Sequence, residues 1–190
     1  MKCMWLALGT LGLAAQTQPP PSPATPRAPE GLPLDTKDHQ PLLLGPTSAS
    51  AILAHRVVFR ENLAKVSLTP ALRARWKAIR TPLTLVAVFG SWCGDSQSQL
   101  PDLLALAGES NPFIEVHYLG VGRDKHIQEA HWPQGCAPQQ VMRVPTFYLF
   151  ATQPGGAQKR VGLVVENPPR AGQTMAEALL EMIEAALLHP

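Results

Sequence analysis

No apolar run in this 190-residue chain reaches the roughly 18 residues that a membrane-spanning helix needs. No cluster of lysine and arginine marks a phosphate-tracking stripe. The net charge of +2, from 16 basic and 14 acidic residues, is too small to argue for nucleic acid. No internal repeat is visible, and cysteine is scarce at three residues. These absences exclude a polytopic membrane protein and a coiled coil and give no ground for a nucleic-acid partner. The length holds one ordinary domain plus tails, which excludes a multidomain enzyme. What is present is enough apolar residue, 45%, for a buried core, with a mean hydropathy of −0.01 typical of a soluble chain. Proline is in excess: 20 residues, about twice the usual share, so part of the chain is not packed domain.

The excess lies near the N-terminus. Lys2 precedes Met4–Ala15, an uncharged stretch long enough for a signal-peptide core and too short to cross a bilayer. Gly12 and Ala14 stand at a −3/−1 spacing, so cleavage after Ala14 or Ala15 and export, periplasmic or extracellular, are expected. The competing reading is an ordinary buried helix. Cys3 lies too early to carry a lipid anchor. From Pro19 to Pro46 nine prolines follow. Proline fixes φ and removes a donor, so residues 16–48 are expected to be an extended, semi-rigid spacer rather than helix or inner strand.

Residues 49–82 read as a helical extension of two helices broken near Ser67–Pro70, with Thr69 and Pro70 as N-cap and first-turn pair. Leu83–Phe89 is short, apolar and β-branched, as a buried parallel strand would be. A helix over Ser96–Ala107, a strand over Phe113–Val121 and a short helix over Asp124–His131 are expected next. Strands at Thr146–Phe150 and Arg160–Val165 and a terminal helix at Thr174–Leu188 complete an order β-α-β-α-β-β-α. This predicts an α/β domain over 83–190, a mixed central sheet with helices on both faces.

Phe89-Gly90-Ser91-Trp92-Cys93-Gly94-Asp95-Ser96 joins the first of these strands to the first of these helices. A cysteine there meets unpaired N–H groups and the helix dipole, which favour a negative sulfur, and the thiolate is the nucleophile. Trp92 can cover one side of it, and Gly94 lets a substrate backbone come close. Asp95 suits the dipole but opposes charge on the sulfur. Ser96 has two uses open to it, a hydrogen bond to the sulfur or to a free N–H of the turn.

The Trp-Cys-Gly-Asp-Ser motif resembles the thioredoxin active site, with Ser96 in place of the family's second cysteine. Pro101 resembles the proline that bends the active-site helix. Val144-Pro145-Thr146 resembles the cis-proline segment that faces the reactive cysteine, and Gly162 a glycine near the same surface. Within the superfamily the chain is most similar to exported bacterial proteins carrying the same Cys-x-x-Ser motif. That group also resembles it at Gly122-Arg123-Asp124-Lys125 and at Val165-Glu166-Asn167-Pro168. The resemblance implies a thioredoxin-like fold, Pro145 as a backbone platform for substrate, Gly94, Val144, Thr146, Gly162 and Arg123 as its surroundings, and Arg123 as a charge offsetting Asp95.

Two departures bear on mechanism. Ser96 cannot release a mixed disulfide as a second cysteine would, and Ala87 stands where thioredoxins bury an acidic proton acceptor. Cys136 is therefore a candidate resolving thiol, which in this fold would approach the cis-proline loop, although an unpartnered, partly buried thiol is the favoured reading. His126, His131 and Cys136 recur at five-residue intervals, a poor metal signature, so no metal or other cofactor is expected. Trp76 and Trp132 are expected to be core or cover. The main expectation is a monomeric monothiol thiol–disulfide oxidoreductase acting through Cys93 on protein or low-molecular-weight thiols and disulfides. The alternative is a non-catalytic peptide- or protein-binding module.

Overall fold

The computed structural model describes residues 31–188. The expected signal peptide and the first half of the proline tract lie outside these residues. The elements run β1 (Gly45–Thr47), α1 (Ala49–His55), α2 (Val57–Leu63), α3 (Pro70–Ala78), β2 (Leu83–Phe89), α4 (Gly94–Gly108), β3 (Ile114–Gly120), β4 (Thr146–Thr152), β5 (Gln158–Val165) and α5 (Met175–Leu188). The five strands form one mixed sheet, ordered β1-β3-β2-β4-β5, in which only β2 and β3 are parallel neighbours.

β2 lies at the centre of the sheet, and every residue in it is buried. Alternation divides its side chains between two cores. Leu83, Leu85, Ala87 and Phe89 join Phe147 and Leu149 of β4 in the larger core, to which all five helices contribute. Val86 and Val88 join Tyr148 and Phe150 on the opposite face, under Val121, Trp132 and Val144. Trp76 and Trp132 are thus core residues, one on each face.

Several expectations need correction. The helix expected over Asp124–His131 is reduced to a single 3-10 turn, Glu129–His131, so the second face is roofed by an irregular segment between β3 and β4. Lys125 there has a positive φ, which interrupts a helix. The pair of helices expected before β2 is a trio, because Arg56 is extended and separates α1 from α2. Its side chain pairs with Asp38 and donates to the Pro41 carbonyl. The Ser67–Pro70 break stands as read, with Thr69 Oγ1 capping the Leu72 N–H at 3.2 Å.

The largest correction concerns the spacer. Its second half is docked on the domain rather than held away from it. Pro33–Leu42 folds back on itself, with Leu42 N–H donating to the Pro33 carbonyl at 2.7 Å and Asp35 N–H to the Gln40 carbonyl at 2.8 Å. Leu42 and Leu43 are buried, and Gly45–Thr47 pairs antiparallel with β3 as the sheet edge. Proline is tolerated at an edge because its missing N–H can face away from the ladder. Gly120 admits this docking, since a Cβ there would lie 2.1 Å from the Leu43 carbonyl oxygen.

Asp102, half-buried on α4, accepts the Ala176 N–H at the start of α5 at 3.0 Å. Burial raises its carboxyl above the usual carboxylate range, against the opposing effect of the backbone N–H groups. The folded state therefore holds this proton more tightly than the unfolded chain. The stability so linked is present below the unfolded value and lost as pH rises through the folded one. Asp102→Asn keeps the acceptor and removes the charge. It is expected to stabilise the protein at pH 7, by up to about 1 kcal/mol, with the gain vanishing near pH 3 in urea titrations. Equal gains at both pH values would refute the assignment.

Candidate active site

The chain leaves β2 at Phe89 and turns through Gly90-Ser91-Trp92 into α4, with Cys93 as the N-cap residue in extended conformation. Three contacts shape this turn. Cys93 N–H donates to the Gly90 carbonyl at 3.0 Å, Ser96 Oγ accepts the Gly90 N–H at 3.2 Å, and Gln97 Nε2 donates to the Ser91 carbonyl at 2.9 Å. Gly90 is needed because a Cβ would lie 2.7 Å from the Trp92 indole. The buried Ser96 hydroxyl thus serves the turn, the second of its two possible uses.

Cys93 is partly exposed, and its Sγ donates to the Val144 carbonyl at 3.2 Å. Val144–Pro145 is a cis peptide bond. The loop holding it is tied on both sides. Thr146 Oγ1 donates to the Arg143 carbonyl at 2.6 Å, Glu166 N–H donates to the Pro145 carbonyl at 2.7 Å, and Arg143 pairs with Glu166 at 2.8 Å. The structure therefore brings Cys93, Val144, Pro145 and Thr146 together although they are distant in sequence. Gly94 and Asp95 are exposed at the start of α4, and a Cβ on Gly94 would meet nothing within 4 Å. That leaves open space for an approaching chain.

Trp92 lies beside the sulfur with its Nε1 donating to the Val121 carbonyl at 3.0 Å. The Arg123 guanidinium stacks on the indole, 4.6 Å from the ring centroid. Its Nε donates to Asp35 Oδ1 at 2.8 Å. Arg123 does border the site, close enough to Cys93 for the two to interact electrostatically. It also holds the Asp35 carboxyl below the usual carboxylate range despite burial.

Two expected site residues lie elsewhere. Cys136 bridges to Gln158, which pairs with Thr152 at the far end of β4, whereas Cys93 meets the chain just before Thr146. Six residues of strand separate the two ends, on the order of 20 Å, against the ~7 Å a disulfide tolerates. Cys136 is buried and its thiol is pushed up to about 11, chiefly by burial and then by the Glu115 charge. In this arrangement it is a free, buried thiol out of bonding reach of Cys93. Gly162 pairs with Leu149 in mid-strand, and a Cβ there would lie 2.5 Å from Met182 of α5. It admits helix packing on the face away from Cys93. Ala87 is fully buried among apolar side chains, so no acid occupies that position.

Sequence reasoning missed Asp35, whose side chain is fully buried. The signal was faint: prolines thin out after Pro33, and Leu42–Leu44 is an apolar run too greasy for a solvated spacer. Among the described residues no group of three His, Cys, Asp or Glu side chains is arranged to hold a metal, and no helix is long and apolar enough to cross a membrane.

Comparison with known proteins agrees with this architecture. An HIV epitope scaffold of known structure is 19% identical, with 74% of this chain and 93% of that chain covered and a TM-score of 0.52. At that identity the likeness speaks for the fold alone. A Pseudomonas aeruginosa protein of unknown function is 22% identical over 73% of this chain and 85% of its own, with a TM-score of 0.48. No curated protein matches the chain. A family model described as thioredoxin matches residues 49–178, so α1–α3 lie within the match along with β2–β5, while the edge strand β1 lies just before it. The chain belongs to the thioredoxin family.

Proposed function

We propose that this protein is an exported monothiol thiol–disulfide oxidoreductase with Cys93 as its nucleophile. The observation that carries the reading is the placement of a partly exposed sulfur at the N-cap of α4, within 3.2 Å of the carbonyl before Pro145. A helix N-terminus favours the thiolate, and the cis-proline loop offers backbone groups to a substrate chain beside it. The Cys93 thiolate attacks one sulfur of a substrate disulfide. The substrate S–S bond breaks, the second sulfur leaves as a thiolate, and Cys93 is left in a mixed disulfide. An outside thiolate then attacks the substrate sulfur of that mixed disulfide, forms a new disulfide with it and releases the Cys93 thiolate. Ser96 and the distant Cys136 cannot perform this second step, so the external thiol is part of the cycle.

The test is transfer of glutathione from a glutathionylated protein in a glutathione buffer. Wild-type protein should accelerate it, Cys136→Ser should retain the rate, and Cys93→Ser should abolish it. Undiminished turnover by Cys93→Ser would sink the proposal. One observation favours the binding module as second reading. Val165 and Leu163 pair with Thr146 and Tyr148 and are exposed apolar residues on the Cys93 face. On that reading Cys93→Ser would keep partner affinity within a few-fold.

A further inference from the structure

Asp35 is an unusual residue to find inside this domain. It comes from the proline-rich segment, its side chain has no exposed surface, and among the described residues its charged partner within salt-bridge distance is Arg123, 88 residues away. Oδ1 accepts both the Arg123 Nε–H and the Lys37 N–H, each at 2.8 Å, the second closing an Asx turn. Oδ2 is buried with no hydrogen-bond partner among the described residues. Burying a carboxylate with half of its acceptor capacity unused is costly. What the arrangement secures is the direction of one guanidinium. Arg123 is anchored through Nε alone, which leaves both Nη groups unspent on Asp35 while its plane lies over Trp92, the neighbour of Cys93.

We infer that Asp35 is a positioning residue for Cys93: it locks Arg123 across Trp92, where the guanidinium favours anionic thiols and disulfides at the sulfur over neutral ones. The inference rests on the reading of Cys93 as the reactive thiol. It also gives the docked segment a use, since that segment completes the electrostatic rim of the site. The other charges carried by elements around Cys93 are Asp95 on α4, Asp124 and Lys125 beside Arg123, and the Arg143–Glu166 pair of the cis-proline loop. None of them changes in the variants below.

The experiment compares alkylation of Cys93 by anionic iodoacetate and neutral iodoacetamide on fully reduced protein, read by peptide mass, and follows the ratio of the two rates. A unit charge about 6 Å away in a largely aqueous setting is worth roughly threefold in such a ratio. Arg123→Ala should lower the ratio by about that factor. Asp35→Ala should lower it too, because the freed guanidinium swings into solvent. A simple charge effect predicts the opposite, since deleting a carboxylate would raise the ratio. Asp35→Asn keeps the Oδ1 acceptor and should hold the ratio at or above wild type. In an Arg123→Ala background, Asp35→Ala should add nothing.

A ratio that is unmoved or raised in Asp35→Ala, or lowered further in the double variant, overturns the inference. Should Asp35→Ala fail to fold, the other two single variants decide. A fall in Asp35→Asn, or no fall in Arg123→Ala, overturns it. If wild-type Cys93 resists both reagents, the thiol reading fails and takes this inference with it. A labelled Cys93 with an unresponsive ratio removes the inference alone.

Discussion

Gly120→Ala is expected to destabilise the protein by about 3 kcal/mol or more and to release the segment ahead of α1. The new methyl would stand 2.1 Å from the Leu43 carbonyl oxygen and 2.7 Å from its carbon. Both are backbone atoms, so no side-chain rotation relieves the clash. Either β3 shifts, dragging on β2 beside it, or residues 33–47 peel away. Peeling exposes Leu42 and Leu43, each worth roughly 1.5–3 kcal/mol when buried. It also breaks the hydrogen bond from Leu43 N–H to Ser91 Oγ, 3.3 Å, which ties the segment to the turn before Cys93. Urea unfolding should show the lower midpoint. Limited proteolysis should cut after Lys37 in the variant well before wild type. An unchanged midpoint with no new cleavage would mean that the segment does not hold this place in solution.

Phe59→Ala should cost about 3–5 kcal/mol. Phe59 is fully buried on α2 and meets Phe89 edge-on, with ring centroids 6.2 Å apart and planes at 87°. The deletion removes a large transfer contribution, an aromatic pair and the filling of a site between α2 and the end of β2. The effect should reach the active site as well, because Phe89 leads directly into Gly90 and the Cys93 turn. We expect thermal unfolding to fall by several degrees and the rate of Cys93 alkylation to change in the same variant. A loss under about 1 kcal/mol would show that α2 packs loosely on the domain. The helices before β2 would then be an appendage and not part of the core.

Both predictions concern how segments ahead of β2 pack on the sheet domain, and they mark where local reading succeeds and fails. β2 was legible because a strand buried on both faces must be an unbroken apolar run, and Leu83–Phe89 is one. α3 was legible because Thr69 and Pro70 announce a helix start through their own chemistry. Cys93 was legible because a strand-to-helix turn fixes where its sulfur emerges. In each case residues within one turn or strand carry the information.

Cys136, Gly162 and Asp35 depend on partners far along the chain, and local pattern is silent about those. The direction of β4 and β5 decides that Cys136 lies at the end of the sheet away from Cys93. The alternation of β5 decides that Gly162 faces Met182 and not the sulfur. The helix expected over Asp124–His131 failed for a related reason. Its apolar residue Ile127 answers to the roof it helps form over Val86 and Tyr148, and a roof can be built from loop as well as helix. By itself, then, the sequence determined the order of strands and the main helices of the sheet domain and the place of Cys93 at a strand-to-helix turn, because both follow from short-range chemistry. Only the tertiary structure decided which charges surround that thiol, since Asp35 reaches Arg123 only when the edge strand has closed the sheet.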